Sequence, residues 1–295
     1  MAVLRPAVVA LGMFDGVHTG HQELLQTAAS FAEMIGARCC VYTFLNHPST
    51  LLGGDTPLLT GTEERRALLT MFGADEVFME PFDRNVMRLS PEDFIRRLFR
   101  LWDVRGLVAG FNYTFGDHGA GTAQTLIALG ESFGYSAIIV PPVEAGGGPV
   151  SSSRIRRLLS EGDARGAALL LGRPYSVGGT VTPNRQNGRR LGFPTANLLP
   201  QAGRALPKRG VYVTDAVCAA GVYRAVTNVG TNPTVHGDHV TIETHLLDFS
   251  GDLYGRELEI RFLHYLRPEQ PFPSVDALRA QIACDADNAR RFRAK

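Results

Sequence analysis

The feature that most constrains this chain is a ten-residue segment near its start, Gly12-Met13-Phe14-Asp15-Gly16-Val17-His18-Thr19-Gly20-His21. It follows a short apolar run, residues 6–11, and precedes a stretch with helical spacing, residues 21–35. A brief apolar run bounded by glycine reads as a buried strand. A glycine-rich turn between such a strand and a helix lies at the carboxyl edge of a parallel sheet, where ligands bind. Glycines let the backbone approach phosphate, and the helix start offers free N–H groups and the positive end of its dipole. The segment lacks the lysine of a P-loop and is not a dinucleotide fingerprint.

His18 and His21 are therefore candidate catalytic donors. Nucleotidyl transfer suits them: a phosphate-monoester nucleophile is already largely dianionic near neutrality, its second pKa being about 6. Such a site needs alignment of two phosphates and neutralisation of the leaving pyrophosphate, not a strong base. A histidine pair with a metal or a purely structural role is the bland alternative.

The rest of the chain divides by texture. Residues 39–44, 76–79, 106–109 and 137–140 read as further buried strands, alternating with helical stretches 62–72, 91–101 and 122–133. Strands alternating with helices predict a Rossmann-like α/β domain built on a parallel sheet. Beyond Tyr175 the pattern turns β-rich, with strands at 177–181, 210–216, 223–229, 240–248 and 258–263 separated by Gly, Pro, Asn and Asp turns. Only residues 274–293 read as helix there, with Ser274 as N-cap. We expect a small β-barrel closed by a C-terminal helix, and a boundary giving domains 1–172 and 173–295.

Composition excludes some functions. A formal net charge of +1 provides no field for nucleic acid or anionic lipid. No apolar stretch reaches the roughly 18–20 residues needed to span a bilayer. Four cysteines without zinc spacing read as reduced thiols in a cytoplasmic protein.

In the second half, Gly192-Phe193-Pro194-Thr195-Ala196-Asn197 follows the glycine-flanked run Arg189-Arg190-Leu191, which suggests a flap over a nucleotide. Thr195 and Asn197, two apart, share a face on an extended strand and offer hard oxygen ligands for Mg²⁺–ATP. Phosphorylating an alcohol requires a base, and Glu243 within an apolar strand is the candidate. Periodicity alone favours a solvent-facing Glu243.

Several motifs resemble known families. The Gly12-to-His21 segment is similar to the (H/T)xGH signature of nucleotidylyltransferases, in the form used by bacterial bifunctional riboflavin kinase/FMN adenylyltransferases. Thr43-Phe44-Leu45-Asn46-His47-Pro48, Gly110-Phe111-Asn112-Tyr113-Thr114-Phe115-Gly116 and Ser151-Ser152-Ser153-Arg154-Ile155-Arg156 follow in that family's order. Pro194-Thr195-Ala196-Asn197, Asn228-Val229-Gly230-Thr231-Asn232-Pro233-Thr234, Glu243-Thr244-His245-Leu246 and Asp252-Leu253-Tyr254-Gly255 resemble its riboflavin kinase module. The resemblance implies riboflavin, FMN, FAD and ATP as small-molecule partners and Mg²⁺ as cofactor. It implies Gly12, Phe14, Asp15, Gly16, Asn112, Ser152, Ser153, Gly192 and Pro194 at nucleotide or flavin, and Thr195 and Asn197 at Mg²⁺. Arg156 would meet the ATP phosphates, and Glu243 would take the proton of the ribityl 5′-hydroxyl. Leu45-Asn46 and Asn112 depart from the family's usual residues. Retention of one activity only, or a non-catalytic flavin or nucleotide sensor, are the competing readings.

Overall fold

The structure, a computed structural model, describes residues 5–182, 192–234 and 237–293. Packing divides the chain into two compact units, 1–152 and 153–295.

The first unit alternates strand and helix, as the texture predicts. β1 (Pro6–Leu11), α1 (Thr19–Met34), β2 (Arg38–Phe44), α2 (Thr62–Met71), β3 (Glu76–Glu80), α3 (Arg84–Met87), α4 (Pro91–Leu101), β4 (Asp103–Gly110), α5 (Ala123–Phe133) and β5 (Ser136–Val140) follow in order. The five strands are all parallel and lie in the order β3-β2-β1-β4-β5. Central β1 is buried on both faces, which is why its residues read as an uninterrupted apolar run. Val8 and Ala10 face a core with Leu25 and Ala28 of α1, while Val9 and Leu11 face another with Ile95 and Leu98 of α4. Ser90 caps α4 by accepting from Asp93 N–H at 3.1 Å, with Pro91 at the first turn. Gly106 must be glycine: a Cβ there would sit 2.3 Å from the Phe31 ring.

Next come α6 (Ser152–Glu161), which belongs to the second unit from Ser153 onward, and α7 (Ala164–Leu171), broken at Gly162, whose φ of +89° ends the first helix. Strands β6 (Tyr175–Thr182), β7 (Ala196–Leu198), β8 (Gly210–Cys218), β9 (Gly221–Thr234), β10 (Gly237–Leu246) and β11 (Glu257–Arg267) close into a barrel ordered β10-β7-β6-β11-β8-β9. The terminal α8 (Val275–Arg291) starts at Ser274, which accepts from Ala277 N–H at 3.1 Å. The expected boundary after residue 172 and the packing boundary after 152 differ by these two helices. α7 packs on β11 and β6, so it groups with the barrel although its sequence reads like the preceding α/β region.

Along β10, Ile242, Thr244 and Leu246 are buried in the barrel, where the hydroxyls of Thr214, Thr227 and Thr244 form a chain at 2.7 and 2.9 Å. The alternate residues, Glu243 and His245, lie on the other face. On the outside of β8 and β9, Val211, Val213 and Val226 pack beneath Ala286 and Ala289 of α8. Arg267 at the end of β11 holds buried Asp285 of α8 through Nη2 at 2.7 Å and Nε at 3.1 Å.

Candidate functional site

In the first unit the strand order runs one way from β1 through β2 to β3 and the other way through β4 to β5, making a topological switch point between β1 and β4. The loops after Leu11 and Gly110 consequently flank one crevice at the carboxyl edge. The turn after β1 is strained: Phe14, Gly16 and Val17 have φ of +51°, +83° and +40°. For a bulky or β-branched residue such a value costs on the order of 1–3 kcal/mol. Burial offsets it, since Phe14 and Val17 are completely enclosed in the core.

Polar ties complete the turn. The Asp15 carboxylate, 1% exposed, accepts from the N–H groups of Leu59 at 2.8 Å and Thr60 at 3.3 Å. Gly16 N–H donates to the Thr60 hydroxyl, and the Ser152 hydroxyl donates to the Asp15 carbonyl at 2.8 Å. Arg65, fully buried on α2, donates to the carbonyls of Met13 and Phe44, joining the loop after β1 to the loop after β2. These contacts shape the turn from beneath.

His18 is the N-cap of α1 and accepts from His21 N–H through Nδ1 at 3.3 Å. That bond places its proton on Nε2. The two imidazoles stack with centroids 3.6 Å apart and 13° between planes. Burial, then His18, then Arg65 hold the His21 pKa well below the usual value, so His21 is a neutral imidazole at pH 7. Its Nδ1 is buried without a protein partner. Gly20 permits the stack, because a Cβ there would lie 3.3 Å from the His18 ring. With His21 neutral and its proton affinity lowered, the imidazole pair at this helix N-terminus can donate to phosphate oxygen while offering only a weak base.

The other expected residues divide. Gly12 clears the Phe14 ring, which a Cβ would approach to 3.1 Å. Phe14 and Asp15 face the interior, so they build the turn instead of lining the crevice. Asn112 is exposed on the loop after β4, next to half-exposed Phe111. Ser152 starts α6; Ser153 and Arg156 follow on that helix and group with the second unit. Asn46, a departure from the usual motif, exchanges two hydrogen bonds with the Phe82 backbone at 2.8 and 3.1 Å. It thereby ties the loops after β2 and β3 together. Arg65 and Thr60 had no sequence signal, since an arginine among Glu63, Glu64 and Arg66 reads as a solvated helix face.

In the second unit, Thr195 precedes β7 and Asn197 is its central residue, 8% exposed. Both line a cleft of about 600 Å³, with Pro194, Leu246, Asp252 and Tyr254 among the other walls. His245 Nδ1 lies 2.8 Å from the Pro194 carbonyl and so fixes the approach to Thr195. Gly192, exposed with φ of +85°, begins this described segment. The flap residues Arg189-Arg190-Leu191 lie outside the described residues. The segment Asp252-Leu253-Tyr254 forms a cleft wall, turned by Tyr254 N–H donating to the Asp252 carboxylate at 3.0 Å.

Glu243 lies opposite Asn197 on one side and Asn228 on the other. Directly paired residues project from the same face, so the three side chains form one row. Burial first, and nearby Glu269 second, raise the Glu243 carboxyl above the usual range. Glu243 thus faces away from the barrel interior, as periodicity predicts, and is also half-buried in a polar row.

Comparison with known proteins agrees with both units. Residues 1–154 match the family described as FAD synthetase, and residues 171–293 match the riboflavin kinase family. A bifunctional riboflavin kinase/FMN adenylyltransferase of Listeria monocytogenes serovar 1/2a is 35% identical over 292 residues, covering 98% of this chain and 93% of the relative. The protein of that description from Escherichia coli K12 is 34% identical, covering 97% and 92%. A crystal structure from Streptococcus pneumoniae, described as a macrolide-efflux protein, superposes with a TM-score of 0.91 at 34% identity, over 99% of this chain and 96% of that one. Among the described residues of this chain, no helix is long and apolar enough to cross a membrane. With matches to both component families and to relatives across nearly its whole length, the chain belongs to the bifunctional riboflavin kinase/FMN adenylyltransferase family.

Proposed function

We propose that the chain makes FAD in two steps, one per unit. The second unit transfers the terminal phosphoryl group of ATP to the ribityl 5′-hydroxyl of riboflavin. The first transfers the adenylyl group of a second ATP to the resulting FMN and releases pyrophosphate. The observation that carries this division is the contrast in available bases. Glu243 stands beside Asn197 with its proton affinity raised, as a hydroxyl nucleophile requires. At the first site Asp15 is engaged by backbone N–H groups, and burial lowers the proton affinity of His21, leaving it a weak base. That arrangement serves a nucleophile that is already an anion.

In the first unit, His18 and His21 orient the phosphates as pyrophosphate leaves. In the second, Glu243 accepts the hydroxyl proton as the oxygen attacks phosphorus. Thr195 and Asn197 orient the nucleotide from the cleft floor. The hydroxyl, amide and Asp252 carboxylate there are hard oxygen donors and fit Mg²⁺. A metal carried in with ATP suits a set of one hydroxyl, one amide and one carboxylate oxygen. Bound there, Mg²⁺ would supply charge neutralisation at the phosphates. The cysteines, all free thiols, support a cytoplasmic setting.

Incubation with riboflavin, ATP and Mg²⁺, with flavins separated by chromatography, tests the reading. The expected products are FMN and then FAD; FMN without FAD would reject the two-step assignment.

A further inference from the structure

On the face that carries Glu243, the amide oxygen of Asn228 has no hydrogen-bond partner among the described residues. Asn228 lies directly opposite Glu243 across the β9–β10 pair. Its Nδ2 donates to Glu269 Oε1 at 2.9 Å, while its Oδ1 is buried and accepts nothing. A buried acceptor without a donor costs about 1–3 kcal/mol. Such a group in a substrate-binding face is explained when the donor belongs to the ligand.

The fit of Glu269 is specific. Its Oε1 occupies the space where residue 230 would carry a side chain: a Cβ on Gly230 would fall 2.3 Å from that oxygen and 3.0 Å from Asn228 Nδ2. Gly230 lies two residues along from Asn228, on the same strand face, and pairs with Thr241 of β10. Glycine at 230 therefore lets a carboxylate from the segment after β11 lie across β9 and clamp the amide. With Nδ2 held by an acceptor, the amide cannot turn over without setting oxygen against oxygen. Oδ1 is left as the group that meets an incoming molecule.

The chemistry of that molecule follows. Glu243, Glu269 and Asn228 Oδ1 are all acceptors, so the row suits a ligand presenting hydroxyl donors. Paired residues on adjacent strands stand roughly 5 Å apart at Cβ. A second hydroxyl one or two carbons from the reacting one spans that gap. Resting on the kinase reading above, we propose that Asn228 accepts a hydrogen bond from the ribityl hydroxyl next to the one phosphorylated, and that Glu269 is the positioning residue that aims it.

The test is steady-state kinase kinetics on the full chain, with riboflavin and with 4′-deoxyriboflavin as alcohols. For the unsubstituted enzyme, loss of the 4′-hydroxyl should lower kcat/KM about tenfold. Asn228→Ala should lower kcat/KM for riboflavin by a similar factor, mainly through KM, and should then no longer distinguish the two alcohols. Glu269→Ala and Gly230→Ala should reproduce the KM effect, the latter by pushing the carboxylate off Asn228 while keeping every polar group. Glu269→Gln, which retains an acceptor oxygen, should restore most of it. Additive losses from Asn228→Ala and the deoxy substrate would overturn the proposal, as would equal behaviour of Glu269→Gln and Glu269→Ala. If the unsubstituted enzyme turned over neither alcohol, the kinase reading would fall first and this inference with it.

Discussion

Asp15 stands in the most recognisable motif of the chain, yet its carboxylate points inward. Replacing it by alanine removes the acceptor for Leu59 N–H at 2.8 Å and Thr60 N–H at 3.3 Å, in a position that is 1% exposed. Each buried N–H left without a partner costs about 1–3 kcal/mol, so Asp15→Ala should destabilise the first unit by about 2–6 kcal/mol. For a unit of this size that corresponds to a fall of roughly 5–20 °C in Tm. Asp15→Asn keeps an oxygen for Leu59 N–H and should lose less than half as much. The assay is thermal unfolding of the full chain, followed by residual FMN formation and residual FAD formation as separate readouts after heating. FAD formation should fail at the lower temperature in Asp15→Ala, while FMN formation keeps its ordinary midpoint. An unchanged midpoint combined with a hundredfold loss of adenylylation at 25 °C would refute the reasoning, because the carboxylate would then be acting on the substrate.

Other outcomes follow from the two sites. His21→Ala should lower FAD formation from FMN by about 10²–10³-fold while sparing riboflavin phosphorylation, and a folded variant losing both would reject the separation of sites. Glu243→Ala should lower riboflavin phosphorylation by about 10²–10⁴-fold and leave adenylylation of supplied FMN intact. Because burial and Glu269 raise the Glu243 carboxyl, the acid limb of the kinase kcat profile should lie above the ordinary glutamate range of about 4.3. The same shift has a stability sign: a folded pKa above the unfolded one gives stability present below the unfolded pKa and lost as pH rises through the folded value. Glu243→Gln should accordingly be neutral or stabilising at pH 7 in urea denaturation; clear destabilisation there would contradict that sign. Asp285, 4% exposed at its side chain, is paired with Arg267 on the barrel, so Asp285→Ala should cost the second unit about 3–5 kcal/mol. A loss below about 1 kcal/mol in the same denaturation assay would mean the pair is effectively solvent-screened.

Much of the architecture is legible in local patterns. β1, β2 and β4 are apolar on consecutive residues because both faces of the sheet are covered, and α4 announces itself through Ser90, Pro91 and the acidic first turn. The barrel strands show in their spacing and turn residues. The grouping of the α6–α7 pair is not written locally, since a helix's own sequence says which face is apolar but not which neighbour covers it. The short β7 likewise becomes a strand through pairing with β6 and β10, which only the closed barrel supplies.

Site residues follow the same rule. His18, His21, Thr195 and Asn197 are candidates from spacing and residue chemistry, which are local to the chain, whereas Glu243 is favoured over a solvent-facing carboxylate only by the family resemblance. Arg65, Asn46 and Glu269 could not be named from local chemistry. Arg65 is buried against carbonyls from Met13 and Phe44, and Asn46 bonds a backbone 36 residues away. Glu269 meets Asn228 at a separation of 41 residues. The sequence by itself determined that a strand–glycine–helix turn precedes a β-rich half, and that one half carries imidazoles and the other a carboxylate. The tertiary structure decided that Phe14 and Asp15 support their turn from inside, and that Glu243 stands in register with Asn197 and Asn228. The reason is physical: backbone conformation and hydrophobic period are written in neighbouring residues, whereas burial and hydrogen-bond partners are set by whichever distant segment the fold brings alongside.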